Sequence, residues 1–163
     1  MAQYAVSNQL VGTPQALTTT YKSQLSVTAA TGATTLRRGW IYEFEIGAGS
    51  VPNATDCPIQ YDVAVCTTLG TGSAVTPNPL DIGGGDAAAL LVYTANFTVE
   101  PTVAALTSSL FWIALNQRAS QRWVARDQSS SIIVPAVNLK GPIFRALSPN
   151  YTGTVTVQAY VQE

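Results

Sequence analysis

The sequence predicts an all-β protein, an antiparallel β-sandwich of about eight strands joined by long loops rich in glycine and proline. Apolar and polar residues alternate with a period of two from residue 35 to the end, which is the pattern of half-buried strands. Glycine and proline interrupt this alternation at 47–56, 69–86, 99–103 and 148–153. Because glycine permits positive φ and proline removes an amide donor, these four segments are predicted to be turns or loops.

The clearest strands are "WIYEFEI" at 40–46 and "TVTVQAYVQ" at 154–162. The first has two predicted faces, one of Trp40, Tyr42, Phe44 and Ile46 and the other of Ile41, Glu43 and Glu45. No segment has convincing helical periodicity, and the Val-Tyr-Thr end of 86–95 favours a strand there. Short, numerous strands with long crossing loops favour a jelly-roll-like order over an immunoglobulin-like one.

The chain of 163 residues is about one domain long, with no internal repeat. We expect residues 21–163 to form a single β-sandwich domain. Residues 1–20 carry no charge and show little alternation. They are predicted to form either an extended N-terminal arm that lies on a neighbouring molecule or a first strand of the sandwich.

The overall charge argues against several classes of partner. Lysine and arginine total 8 and aspartate and glutamate total 9, so the net charge of −1 lacks the basic footprint of a nucleic-acid-binding protein. No apolar run reaches the roughly 18 residues of a membrane span. The first residues show neither the basic start nor the apolar stretch of a secretion signal, which indicates synthesis in a cytoplasm.

The residue types available for catalysis are few. The sequence contains no histidine, which excludes Ser-His-Asp and Cys-His catalysis and histidine metal ligands. Glu43 and Glu45 are predicted to share one solvated strand face. Asp81 and Asp86 flank three glycines but lack the ligand pattern of a calcium loop, so that segment is predicted to be a flexible loop. We therefore expect no enzymatic activity, no catalytic residue, no metal and no cofactor.

The two cysteines, Cys57 and Cys66, enclose a segment that is predicted to be a strand. Nine strand steps separate their backbones by roughly 30 Å, whereas a disulfide requires about 7 Å or less. Two free thiols are therefore predicted.

Three arginines and a tryptophan lie close together in "RASQRWVARDQSSSIIVPA" at 118–136. If 121–127 is a strand, Arg122 and Arg126 point outward while Trp123 points into the core, with Arg118 in the preceding turn. Because aromatic and basic side chains then lie on opposite faces, the pattern is not that of single-stranded nucleic-acid binding. The remaining interpretations are a solvated face and a docking surface, since arginine is enriched at protein interfaces.

Several segments together resemble small virion proteins of tailed bacteriophages. They are "RRGWIYEFEIG" (37–47), "AVTPNPLD" (74–81), "ANFTVEPT" (95–102), "LNQRASQRWVA" (115–125), "IIVPA" (132–136) and "SPNYTGTVTVQAYVQE" (148–163). The resemblance covers about residues 35–163. The chain is similar to head decoration (cement) proteins. This similarity implies a jelly-roll-like domain that assembles as a small oligomer, a homotrimer, on the outside of a capsid.

The resemblance implies a structural protein on the capsid exterior of the virion, assembled in the host cytoplasm. Its partners would be the major capsid protein and copies of itself. The residues that we expect at the capsid or subunit interface are Tyr4, Val6, Leu10, Arg118, Arg122 and Arg126. The alternatives are a tail or baseplate component and a carbohydrate-binding or receptor-binding sandwich, for which exposed Tyr93 or Tyr151 would supply the aromatic contacts.

Overall fold

The structure is a computed structural model that describes residues 1–29, 36–83, 88–103 and 109–163. Thirteen strands and two short 3₁₀ turns, Asn8–Val11 and Gln128–Ser130, lie in these residues. The strands are β1 (Gln3–Ser7), β2 (Lys22–Thr28), β3 (Gly39–Ala48), β4 (Pro58–Thr68), β5 (Thr71–Ala74), β6 (Asn78–Pro79), β7 (Val92–Val99), β8 (Thr102–Val103), β9 (Ser109–Asn116), β10 (Ser120–Val124), β11 (Ile132–Val134), β12 (Gly141–Leu147) and β13 (Val155–Gln162).

The strands form two antiparallel sheets. The front sheet has the order β10-β3-β13-β1-β6, with β11 also paired to β3. The back sheet has the order β5-β7-β2-β12-β4-β8, with β9 also paired to β4.

The pairing scheme is that of a jelly roll. Four antiparallel pairs join early strands to late ones: β1 with β13, β2 with β12, β3 with β10, and β4 with β9. Successive pairs lie in alternate sheets, so the chain rolls up into a sandwich with β5 to β8 inserted between β4 and β9. The predicted all-β, jelly-roll-like sandwich is confirmed.

Part of the segment 69–86, which is predicted to be a loop, forms regular structure. It contains the short strands β5 and β6, which extend the back and front sheets respectively. Gly72 permits this because a Cβ there would lie 2.7 Å from the Ala95 carbonyl oxygen on β7. The glycine therefore marks a close approach of two backbones within a sheet.

The core lies between the sheets and is built from alternate strand residues. Phe44 lies at its centre, with ring centroids of Phe111, Trp123 and Phe144 5.1–5.2 Å away. On β13 the alternation is strict, because the valines and Ala159 are buried between polar or tyrosine neighbours. The inward orientation predicted for Trp123 agrees with this packing.

The predicted alternation of β3 fails at one position. The pairing register of β13 jumps from Glu43 to Ile41, so Tyr42 is a bulge residue. Ile41 is therefore buried with Phe44 and Ile46, while Trp40 is partly exposed. The predicted faces are correct after the bulge and reversed before it.

The outer face of the back sheet carries a second, smaller core. Ala64, Cys66, Phe97 and Ile143 form a buried cluster against which Leu69 and Val103 pack. Phe97 reaches this side because Asn96 has φ 48°, a conformation that asparagine tolerates, and the alternation set by Tyr93 and Ala95 changes there. The chain after β7 thus covers part of the back sheet.

Candidate functional site

The first residues of the chain are a strand of the sandwich. β1 lies between β13 and β6, and the side chains of Tyr4 and Val6 are buried in the fold. Neither side chain is available to another molecule in this conformation. Leu10, in the following 3₁₀ turn, is exposed.

The three arginines occupy separate surroundings, and each has an acidic neighbour. Arg118 Nε donates to Asp56 Oδ1 at 2.8 Å, and Arg122 Nε donates to Glu43 Oε1 at 2.6 Å. Arg126 lies 3.8 Å from its neighbour Asp127 and its side chain is 92% exposed. The sequence cluster is therefore not a continuous basic patch.

The edge of the sandwich formed by β9, β10 and β11 is apolar. Its exposed large hydrophobic residues are Leu110, Trp112, Val124 and Ile133, and Trp112 is 59% exposed. A groove of about 480 Å³ opens between the two sheets at this edge. The groove is lined by Val65, Leu110, Phe111, Trp123, Ser130, Ser131, Ile132, Ile133 and Pro135. We call this surface the apolar edge.

Within the described residues, the strands of the apolar edge also present unpaired backbone groups. Gln117 N donates to Cys57 O, and in an antiparallel ladder alternate residues face the partner strand. The backbone groups of Trp112 and Ala114 therefore point away from β4. By the same reasoning, the hydrogen bond from Ala125 N to Tyr42 O indicates that the backbone groups of Val124 point away from β3.

One end of the sandwich has no charged residues in the segments 8–20, 49–55 and 149–154. They meet at the start of β13, where Gln9 Nε2 donates to Thr156 Oγ1 and Gly49 N donates to Thr154 O. Leu10 and Val51 are exposed there. Arg118 borders this uncharged end because its Nη2 donates to Asn53 O at 3.0 Å.

A buried ion pair lies on the outer face of the back sheet, and sequence reasoning missed it. Arg145 Nε donates to Asp62 Oδ2 at 2.8 Å, Arg145 Nη2 donates to the same oxygen, and Ser109 Oγ donates to Oδ1. The Arg145 guanidinium also lies 4.6 Å from the Tyr21 ring centroid. Asp62 alone interrupts "YDVAV", and that one charge in an apolar strand is the signal that was available.

The remaining candidate residues from the sequence are two cysteines and two aspartates. Cys57 and Cys66 are buried free thiols, and burial raises the pKa of Cys66. Asp81 is exposed in the loop after β6, whereas residues 84–86 lie outside the described residues. In the described ranges no group of three or more potential ligands is placed to hold a metal ion.

Two further observations bear on the alternatives. Tyr93 and Tyr151 are both buried, so neither offers the exposed platform that a sugar-binding interpretation expects of them. Among the described residues no helix is long and apolar enough to cross a membrane.

No protein-family model matches the chain, and no curated protein or solved structure matches it either.

Proposed function

We propose that this chain is a non-enzymatic structural protein of a tailed-phage virion. It acts as a decoration (cement) protein, bound in many copies to the outer surface of the capsid after assembly in the host cytoplasm, and it stabilises the shell. Its partners are the major capsid protein and further copies of itself, arranged as a homotrimer.

The apolar edge carries the proposal. Monomeric soluble proteins seldom leave apolar grooves beside unpaired strand edges open to water, because such surfaces favour association. Here Leu110, Trp112 and Val124 lie on that edge of a chain in which only 10% of residues are charged. This combination is what a subunit that functions by assembling with other subunits requires.

The two surfaces suit different contacts. Obligate contacts between identical subunits are more apolar than other interfaces, so we assign the apolar edge to neighbouring copies. We assign the uncharged end, with Leu10, Val51 and Arg118, to the capsid. Many weak contacts of this kind, repeated by symmetry, bind tightly through avidity although each contact is weak.

The first test is the copy number of the chain in purified virions, measured by quantitative mass spectrometry against the major capsid protein. Hundreds of copies at a simple ratio to the capsid protein support a shell decoration. A dozen or fewer indicate a tail component, and absence from the particle contradicts the proposal.

Co-sedimentation with capsids that lack the protein then tests the two surfaces. Deleting residues 2–12 would remove β1, so Leu10→Ser with Val51→Ser is the cleaner variant for the uncharged end.

Trp112→Ser is expected to reduce oligomerisation in size-exclusion chromatography with light scattering. Leu80→Ser, on the opposite edge beyond β6, is the control for loss of an exposed apolar side chain.

The arginines are tested together. Replacing Arg118, Arg122 and Arg126 by serine is expected to weaken particle binding without unfolding the domain. Unchanged binding would remove the arginines from the proposed interface.

A further inference from the structure

The outer face of the front sheet carries an ordered array of side chains that, apart from Arg122 and Val124, the proposed function does not use. The pairing register aligns three rows across β10, β3 and β13. The rows are Ser120–Gly47–Thr156, Arg122–Glu45–Gln158 and Val124–Glu43–Tyr160. The first row is small, the second is polar, and the third ends in an aromatic ring.

The small row forms the floor of a trough. A pocket of about 200 Å³ is lined by Glu45, Ile46, Gly47, Ala48, Ser120, Thr156 and Gln158. Gly47 keeps it open, because a Cβ at this position would lie 3.3 Å from the Ser120 Cβ. Because Gly47 has no side chain, an open gap lies above the middle strand between Ser120 and Thr156.

The polar row forms one wall of the trough and is held in position by its neighbours. Arg122 Nε donates to Glu43 and also lies 3.7 Å from Glu45 Oε1. The Glu45 side chain is 53% exposed, so its carboxylate can accept further hydrogen bonds. Gln158 Nε2 donates to the Tyr160 hydroxyl at 2.8 Å, which orients the amide and leaves its Oε1 as an acceptor.

Donors are present on the same surface. Thr156 Oγ1 accepts from Gln9 Nε2 at 3.1 Å, so the threonine hydroxyl hydrogen can be donated to a ligand. The Ser120 hydroxyl lies on the opposite side of the trough, and Arg122 lies beside Glu45, two residues further along β10. The trough thus presents hydroxyl, amide and carboxylate groups within one small volume, next to a guanidinium.

Beyond the polar row lie two partly exposed aromatic rings. The centroids of Tyr42 and Tyr160 are 6.3 Å apart, and the rings are inclined by 39°. Burial, together with the neighbouring Glu43, raises the pKa of Tyr42, so this ring remains a neutral phenol. The β-bulge at Tyr42 is what brings a second aromatic ring next to Tyr160.

We propose that this trough binds a carbohydrate, with Glu45, Gln158 and Arg122 bonding sugar hydroxyls and Tyr160 contacting the apolar face of the ring. A neutral polyhydroxylated ligand fits best because it needs donors and acceptors together. Anionic ligands, including nucleic acids, would be repelled by Glu43 and Glu45. This inference does not depend on the capsid role.

The test is an NMR titration of the ¹⁵N-labelled protein with the methyl glycosides of glucose, galactose, mannose and N-acetylglucosamine at millimolar concentrations. Saturable shifts of the Gly47, Ser120 and Gln158 amides are expected with at least one of the four. No shift with any of them, or shifts elsewhere on the protein only, would overturn the proposal.

Variants then separate binding from folding. Glu45→Ala and Tyr160→Ala are each expected to weaken the binding at least tenfold. Asp56→Ala is the matched control, because Asp56 is a 56% exposed acid that also pairs with an arginine, but it lies away from the trough. Unchanged amide spectra outside the trough show that each variant is folded, and full binding by Glu45→Ala would contradict the assignment.

Discussion

The two outer faces of the sandwich each carry an arginine paired with acids on a neighbouring strand, and the two pairs differ in burial. On the back sheet the Arg145 and Asp62 side chains are 15% and 2% exposed. On the front sheet the Arg122 side chain is 60% exposed, and that of Glu43, to which it donates, is 15% exposed. Similar residues in similar sheet positions therefore serve the fold on one face and remain available to ligands on the other.

At the pair itself the difference arises from Tyr21, whose ring centroid lies 4.6 Å from the Arg145 guanidinium, and from Ser109, whose Oγ donates to Asp62 Oδ1. The chain that follows β7 covers another part of the back face. Glu100 accepts hydrogen bonds from Ser23 N at 2.9 Å and from Gln15 Nε2 at 2.8 Å, and it also lies 3.5 Å from Lys22 Nζ. These contacts hold the segment after β7 against β2. Val103 then packs on the second core, and the back face is closed where the front face is open.

The comparison predicts its largest effect at the buried pair. Arg145→Ala leaves the Asp62 carboxylate buried without its cation, so we expect the free energy of unfolding to fall by about 3–5 kcal/mol. Urea denaturation followed by tryptophan fluorescence measures this loss. A loss below about 1 kcal/mol would mean that water reaches Asp62 and that the back face is open.

The second core, which covers part of the outer face of the back sheet, is tested by a substitution at Phe97. Phe97→Ala removes the largest side chain of the second core, and we expect a loss of about 3 kcal/mol. Cys66, which is fully buried beneath this cover, should then react with a thiol reagent such as DTNB. In the unmodified protein Cys66 should react only on unfolding, because the thiol is enclosed and its raised pKa disfavours the thiolate. Rapid native-state reaction of Cys66 would contradict the enclosure.

These two faces also show how far the sequence could be interpreted. Period-two alternation located strands β3 and β13 and oriented Trp123 correctly, because both depend on local pattern. The bulge at Tyr42 and the turn of the chain at Asn96 depend on pairing with distant strands, so alternation alone could not reveal them. The covered back face was likewise beyond prediction, since Phe97 reaches Cys66 only in the folded protein.

The candidate site was likewise hidden wherever it depends on residues that are distant in the sequence. Arg118 and Arg122 look free in the sequence because their acidic partners lie far away along the chain. Arg118 bonds Asp56, 62 residues earlier, and Arg122 bonds Glu43, 79 residues earlier. The trough at Gly47 was equally hidden, because Ser120 and Thr156 become its neighbours only through strand register.

The exposed front pair is expected to respond much more weakly than the buried one. Arg122→Ala removes the same kind of charge as Arg145→Ala, but the Glu43 and Glu45 side chains that remain are 15% and 53% exposed, against 2% for Asp62, so water reaches them more readily. The urea midpoint should therefore fall much less than in Arg145→Ala. A loss of stability as large as that of Arg145→Ala would show that the front pair, like the back pair, holds the fold together.

The smallest effect is expected at the exposed pair of Asp56 and Arg118, where it appears in titration. The hydrogen bond from Arg118 lowers the pKa of Asp56 below its ordinary value of 3.8. Because the folded-state pKa is lowered, the pair stabilises the fold above pH 3.8, and this stabilisation is lost as the pH falls through the lowered pKa. In Arg118→Ala the pKa of Asp56 should rise toward 3.8, measured by NMR of the carboxyl carbon, with no change at Asp127. An unshifted Asp56 would mean that Arg118 is not held by this pair in solution and is free to contact a partner.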